Sequence, residues 1–165
     1  MKIEIRKFSR EHLNDSRLWL NNRNLSRLFC RTYRTITKKS QADWFKKVNK
    51  DKSQLIFAIT VDGVYVGNIG LKYIDKINRK AEYYIFIGRE SYRNRGVGER
   101  SSRLLFKHIQ NTLPLKKIYL NVAAYNPKAV QLYEKLGFIK EGLFYQEIYL
   151  NNKPVDMIRM AYFIK

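Results

Sequence analysis

Between Tyr83 and Phe106 the chain passes from an apolar run, Tyr83-Tyr84-Ile85-Phe86-Ile87, through a basic segment, Tyr92-Arg93-Asn94-Arg95-Gly96-Val97-Gly98, into an amphipathic helical pattern. A strand therefore leads through a loop into a helix whose start carries two glycines. That order restricts the fold more than any other part of the sequence. The start of a helix leaves backbone N–H groups unspent and carries the positive end of the helix dipole, so it suits a phosphate or pyrophosphate. Glycine, with no Cβ, lets a ligand come close to the backbone. The spacing is not Gly-x-x-x-x-Gly-Lys-Ser/Thr, and the third glycine of a dinucleotide fingerprint is missing. On its own the segment reads equally well as a basic turn that starts a helix.

The flanking elements set the fold class. Residues 3–8 alternate as a strand, and Ser9 is placed to cap a helix carrying Leu13, Leu18, Trp19 and Leu20. Thr37 is placed to cap a second helix, in which Ala42, Phe45 and Val48 lie three apart with Trp44 beside them. Residues 55–61 and 64–74 are strands joined by an Asp62-Gly63 hairpin, and residues 81–88 form the strand that delivers the glycine loop. The helix over 97–111 leads to a strand over 117–123, and two strands joined by a helix run parallel. Asn126-Pro127 opens a further helix that Gly137 closes, and residues 139–164 make two long strands around Asn151-Asn152. The expectation is one α/β domain over residues 1–165. Its sheet is mixed, mostly antiparallel and twisted, with one parallel pair, and helices flank it.

Composition narrows the function. With 165 residues, 45% of them apolar, and 12 Tyr and 9 Phe, the chain is too rich in core-forming side chains to be disordered. No apolar run is long enough to span a bilayer, and Cys30 is the only cysteine, so a cytoplasmic protein without disulfides is expected. His12 and His108 have no partner at ligand spacing, so no metal is expected. The 33 Lys and Arg against 14 Asp and Glu are unevenly spread, and residues 16–42 contain no acid at all. Arg23, Arg27, Arg31 and Arg34 follow a spacing that would stack them on one helical face. Such a cluster fits a solvated basic surface or an anionic partner.

A second motif, Asn126-Pro127-Lys128-Ala129-Val130-Gln131-Leu132-Tyr133-Glu134-Lys135-Leu136-Gly137-Phe138, follows the strand over 117–123. Together with Arg-x-x-Gly-x-Gly at Arg93 to Gly98, in this order, it resembles the GNAT acetyltransferases, as does the order of elements from end to end. Residues 116–160 are most similar to the ribosomal-protein N-terminal acetyltransferases and spermidine acetyltransferases. The stretch from Trp19 to Phe45 is more similar to enzymes acting on nucleotide-linked amino sugars, with Gln41 where those commonly have histidine.

The resemblance implies a GNAT fold and acetyl-CoA as co-substrate. Arg93, Asn94, Arg95, Gly96, Val97 and Gly98 would bind the CoA pyrophosphate through backbone N–H groups, helped by arginine charge. Phe86, Ile87 and Gly88 would pair with the pantetheine amides in a gap between splayed parallel strands, and Asn126 would hydrogen-bond the same arm while capping its helix. Tyr133 is the expected general acid for the departing thiolate, and otherwise a core residue. Glu82 would take the amine proton through water, or else pair across the sheet with a lysine such as Lys72. Glu141 and Asp156 are further candidate bases with stronger structural readings, Asp156 pairing with Arg159 or capping the hairpin.

The region from Trp19 to Trp44 lies where these enzymes build the acceptor wall, which assigns Arg27, Arg31 and Trp44 to the acceptor. An arginine-rich wall repels a polyamine and favours an anionic amine such as a nucleotide-linked amino sugar. A ribosomal-protein N-terminus and a polyamine are the alternatives. A basic RNA-binding module on the same fold is the non-enzymatic one, with nucleic acid or the ribosome as a less favoured partner. A monomer or a homodimer is expected.

Overall fold

The computed structural model describes residues 1–28 and 30–165, with the side chains of residues 27 and 28 left aside. Seven strands form one sheet: β1 (Ile3–Lys7), β2 (Leu55–Val61), β3 (Val64–Asp75), β4 (Lys80–Ile87), β5 (Lys117–Ala123), β6 (Ile139–Leu150) and β7 (Lys153–Phe163). Their spatial order is β1-β2-β3-β4-β5-β7-β6. Five α-helices accompany them: α1 (Leu13–Leu20), α2 (Arg23–Leu28), α3 (Lys38–Val48), α4 (Val97–Thr112) and α5 (Pro127–Lys135). Every neighbouring pair of strands is antiparallel except β4 and β5. The mixed sheet with one parallel pair is therefore the expected one, and the α4 crossover between those two strands is its cause.

Local chemistry explains the corners. Asp62 (φ 49°) with Gly63 (φ 82°), and Asn151 (φ 50°) with Asn152 (φ 62°), are left-handed pairs that match the twist of two-residue hairpins. Thr37 Oγ1 accepts from Ser40 N at 3.0 Å and starts α3. Ser9 precedes a 3-10 turn, Arg10–His12, that runs into α1, and its backbone N–H donates to His12 Nδ1 at 3.0 Å. The ring of His12 is thereby a buried structural group.

A second core cluster, Phe8, Phe45, Val48 and Ala58, involves α3, and the largest one lies beneath α4. Val97, Ser101, Ser102, Leu105, Phe106 and Ile109 form the buried stripe of that helix. They pack on Ile69, Leu71, Tyr83 and Ile118. Each aliphatic side chain so buried contributes about 1.5–3 kcal/mol. Both serines bond back along the helix, Ser101 Oγ donating to Val97 O at 2.7 Å and Ser102 Oγ to Gly98 O at 2.6 Å, and Ser102 Oγ also meets the Tyr83 hydroxyl at 2.6 Å.

One expectation about α2 is corrected. That helix ends at Leu28, so Arg31 and Arg34 leave it and the four arginines share no helical face. Arg23 stacks over the Tyr33 ring at 4.8 Å instead.

Candidate active site

The feature that positions the site is a failure of pairing. β4 and β5 are bonded only where Lys80, Ala81 and Glu82 face Lys117, Ile118 and Tyr119. Beyond that ladder β4 stays with β3 as far as Ile87, and β5 stays with β7 as far as Ala123. Beyond Glu82 and Tyr119 the facing edges of β4 and β5 are therefore not paired with each other. Such edges present N–H and C=O groups that an extended, amide-bearing ligand can satisfy.

The glycine loop stands at the end of β4. A 3-10 turn, Glu90–Tyr92, leads to Arg93, then to two left-handed residues, Asn94 (φ 57°) and Gly96 (φ 73°). No side chain caps α4 among the described residues. Its first backbone bond runs from Arg100 N to Gly96 O at 3.1 Å. The N–H groups of Val97, Gly98 and Glu99 therefore lie ahead of the helix ladder, at the positive end of its dipole. A methyl on Gly98 would stand 3.4 Å from Leu132, an ordinary contact, so α5 lies next to this helix start without requiring glycine there. The Glu99 carboxylate is held by Lys135 at 2.7 Å and Arg103 at 3.1 Å, which lowers its pKa and offsets its charge beside the loop.

Arg93 departs from its expected part. Its Nε donates to Ile87 O at 3.0 Å and its Nη2 to Gly88 O at 2.9 Å, so the guanidinium is turned onto the strand end. Arg95 is exposed and has no partner among the described residues, and it is left to supply charge to an anion. Gly88 has a task that the sequence did not suggest. A methyl there would overlap the Trp19 indole, which packs on Tyr65 and meets Phe86 edge-on.

Where the strands part, a cavity of about 560 Å³ opens beneath α1 and α3, and Glu82, Phe86, Asn126, Tyr133, Arg31 and Trp44 all line it. The structure thus brings together six residues drawn from four separate parts of the sequence. Ile87, Gly88 and the loop from Arg93 to Gly98 lie beside it and are not among its described lining residues. Arg27 was assigned to the acceptor wall, and its side chain lies outside the described residues.

Tyr133 meets Tyr83 edge-on at 6.2 Å and Phe138 at 5.8 Å. Burial pushes its phenol up to about 12, with the neighbouring Cys30 adding to the shift. Its hydroxyl has no hydrogen-bond partner among the described residues, so the proton is available to a ligand. Asn126 caps α5: its Oδ1 accepts from Ala129 N at 3.2 Å, and its Nδ2 remains unspent among the described residues. One side chain can serve both expected purposes.

Glu82 sits opposite Lys72 in register, but the expected cross-strand ion pair does not form. Lys72 Nζ lies 4.8 Å over the Tyr84 ring instead. Glu82 is the sole carboxylate among the described lining residues. Both other candidate bases are engaged elsewhere. Glu141 pairs with Lys117 Nζ at 2.6 Å, and Asp156 Oδ1 accepts from Gln146 N at 2.8 Å in a bulged part of the final hairpin. Asp156 therefore braces the hairpin, while Arg159 donates to Asn121 Oδ1 at 2.7 Å.

Arg31 lines the cavity without a carboxylate partner among the described residues, and burial with Arg34 nearby lowers its pKa. Trp44 is 39% exposed and lies edge-on to Phe8 at 6.0 Å. The polar floor had not been expected. Asn68 is buried, accepts from the Tyr65 hydroxyl at 2.8 Å and donates to Ser16 Oγ at 3.5 Å. Gln41 is 4% exposed, and its Nε2 has no partner among the described residues. Leaving such a group unmet costs about 1–3 kcal/mol. The signal was legible: Gln41 falls four residues before Phe45 and seven before Val48, on the buried stripe of α3. Among the described residues no group of three or more His, Cys, Asp or Glu could hold a metal ion. No helix among them is long and apolar enough to cross a membrane.

Known proteins similar to this chain are acetyltransferases. The model of the acetyltransferase (GNAT) domain matches residues 2–139. The chain is 32% identical over 162 residues to the spermidine N(1)-acetyltransferase of Escherichia coli K12, covering 98% of this chain and 86% of that one. It is similar to the crystal structure of spermidine N-acetyltransferase from Vibrio cholerae in complex with CoA and spermine. The TM-score is 0.91 at 28% identity, over 98% of this chain and 95% of that one. A dodecameric structure of the Vibrio cholerae enzyme in an intermediate state matches with a TM-score of 0.84 at 28% identity, over 98% and 93% of the two chains.

Proposed function

The chain belongs to the GNAT acetyltransferase family and is an acetyl-CoA:amine N-acetyltransferase, and from that premise we propose that Glu82 and Tyr133 act on a primary amine held in the cavity where β4 and β5 part. The observation that carries this reading is that one unpaired carboxylate and one unpartnered phenol line the same cavity.

Acetyl-CoA supplies the acyl group and a thiol leaving group. The fold fits such a co-substrate, with two parting strands for an amide-bearing arm and unspent N–H groups at α4 for a pyrophosphate. Glu82 attracts the ammonium form of the acceptor and takes its proton, directly or through water, so that a neutral nitrogen can attack. Tyr133, still a phenol far above neutral pH, holds a proton for the departing sulfur. A phenol that weak acts by position and by stabilising developing charge more than by acidity. Phe86, Ile87, Gly88 and Asn126 position the arm of the co-substrate, while Asn94, Arg95, Gly96, Val97 and Gly98 hold its phosphates. Arg93 supports them by fixing the strand end.

Two acceptor classes follow from different observations. Arg31 in the cavity favours an amine that also carries an anionic group, such as a nucleotide-linked amino sugar. Glu82, together with the spermidine acetyltransferases among the relatives, favours a polyamine. Release of free thiol from acetyl-CoA, measured across nucleotide amino sugars, polyamines and N-terminal peptides, decides between them. Thiol release with none of these amines would overturn the catalytic reading. The dodecameric relative favours an assembly larger than the expected monomer or homodimer. A cytoplasmic location stays part of this proposal.

A further inference from the structure

Arg31 stands between two cavities. It lines the one where β4 and β5 part, and it also lines a second of about 360 Å³, which Arg23, Ser26 and Tyr33 share with Leu150 and Asn151. Two distant parts of the chain therefore close this second pocket, the segment after α1 and the turn between β6 and β7. Its volume falls within the roughly 300–1,000 Å³ usual for small-molecule sites.

The chemistry of its walls is one-sided. Two guanidinium groups line it and no carboxylate does, and neither Arg23 nor Arg31 forms an ion pair among the described residues. Arg23 is steadied by the Tyr33 ring, 4.8 Å from its centre, a stacking that leaves the in-plane N–H groups free. Arg31 is half-buried, and Arg34 adds like charge nearby. A partly desolvated cation beside another cation is costly unless an anion completes the arrangement. The Ser26 hydroxyl reaches Leu20 O only at 3.4 Å, and the Tyr33 hydroxyl and Asn151 carboxamide have no hydrogen-bond partner among the described residues. A neutral or cationic ligand would leave both guanidinium groups unmatched, whereas a phosphate accepts from each of them.

We propose that this pocket binds a phosphate group on Arg23 and Arg31, and that Arg31 carries the effect of its occupancy into the neighbouring cavity. The second half rests on the acetyltransferase reading above; the first does not. Without an anion, the Arg31 charge opposes a cationic acceptor drawn in by Glu82. With a phosphate bound, that charge is paired and the opposition falls. The phosphate has two sources: a separate anion acting as an effector, or the non-reacting end of a phosphate-bearing acceptor that spans both cavities.

The probe is inorganic pyrophosphate, titrated calorimetrically at constant ionic strength into protein saturated with CoA, so that the loop at α4 is already filled. A saturable heat is expected, weakened about tenfold or more by Arg23→Ala. Lys107→Ala, which removes the same charge from the exposed face of α4, should leave it in place. Asn151→Asp puts a carboxylate in the pocket at a left-handed position (φ 50°) that aspartate tolerates, so it should abolish the binding without lowering Tm. Thiol release at saturating acetyl-CoA reads the coupling. Pyrophosphate should lower the KM for spermidine about fivefold or more in wild type and leave it unmoved in Arg23→Ala. That result marks a separate effector, and Asn151→Asp should then show the lowered KM with no pyrophosphate added. Competition between pyrophosphate and a nucleotide-linked amino sugar marks the phosphate as part of the acceptor instead. No binding to the CoA-saturated protein, or binding that Arg23→Ala and Lys107→Ala weaken equally, overturns the site. Should Arg23→Ala fail to fold, Asn151→Asp decides alone. Binding that changes neither the spermidine KM nor the use of the amino sugar overturns the part given to Arg31. Pyrophosphate binding without thiol release from any amine supports the site and overturns the acetyltransferase reading, together with the part given to Arg31.

Discussion

Arg93 Nη2 donates to the Gly88 carbonyl at 2.9 Å, and Nε of the same side chain reaches Ile87 O at 3.0 Å. The basic residue that opens the glycine loop thus fastens the loop to the strand that precedes it. Charge-assisted bonds of this kind contribute about 1.5–3 kcal/mol when the carbonyls have no other partner. Arg93→Ala should therefore lower Tm by several degrees, whereas Arg95→Ala should leave Tm in place. Arg95→Ala should instead raise the KM for acetyl-CoA by about threefold to tenfold, with the effect shrinking as salt is added. Thermal melts and acetyl-CoA titrations at two ionic strengths separate the two roles. Equal Tm losses would refute the division.

Tyr133→Phe keeps the ring that packs on Tyr83 and Phe138 and removes only the unpartnered hydroxyl. It should lower kcat by about 10²–10⁴-fold while Tm changes little. In wild type, the folded pKa of about 12 lies above the ordinary value of 10. The stability tied to the neutral phenol is thus complete below pH 10 and is lost as the pH rises toward 12. Activity that depends on its proton should hold through pH 10. An alkaline limb near pH 8 that vanishes in Tyr133→Phe would contradict the burial-raised pKa.

Glu82→Gln should reduce kcat/KM by about tenfold or more at pH 7. The loss should shrink at higher pH, where a larger share of the acceptor amine is already neutral. The rate of thiol release against pH, measured for wild type and variant with one acceptor, reads this directly. A pH-independent deficit would mean that Glu82 only binds the acceptor.

Gly88→Ala should act through Trp19. The added methyl meets the indole, and relieving the overlap in a packed region costs about 1–3 kcal/mol. A lower Tm and a red-shifted tryptophan emission are expected, with Trp44 as the second contributor to the signal. An unchanged spectrum would mean that the helix carrying Trp19 shifts freely.

Acetyl-CoA at one hundred times its Kd should stabilise the folded protein by about 2.7 kcal/mol. A thermal shift that saturates with acetyl-CoA, and is diminished in Arg95→Ala, is the expected outcome.

Much of the architecture was legible because local signals agreed with tertiary ones. Asp62-Gly63 and Asn151-Asn152 are turn dipeptides whose left-handed backbone matches the twist of a hairpin, and Pro127 with Gly137 marks both ends of α5. The parallel pairing of β4 with β5 followed from the helix between them. Where the sequence misled, the deciding contact was distant. The orientation of Arg93 depends on two carbonyls at the end of β4, and the failure of Glu82 to pair with Lys72 depends on the Tyr84 ring. The four arginines from Arg23 to Arg34 illustrate the same limit, because their spacing carries no information about where α2 stops. Gln41 is the opposite case: a polar residue on an apolar stripe is visible in sequence, but whether its amide finds a partner depends on the packing around it.

For an arm bound as proposed, the short ladder between β4 and β5 would also work as a depth stop. Glu82 faces Tyr119 on its last rung, and beyond that rung the strands diverge. An extended chain threaded between them can advance only until it meets the closed end. The distance from loop to last rung, fixed by the backbone, therefore sets where the tip of any inserted arm comes to rest. Adding one more bonded pair, or removing one, would move that resting point by about 3.3 Å along the strands, enough to carry a reacting atom out of reach of a side chain that stays in place.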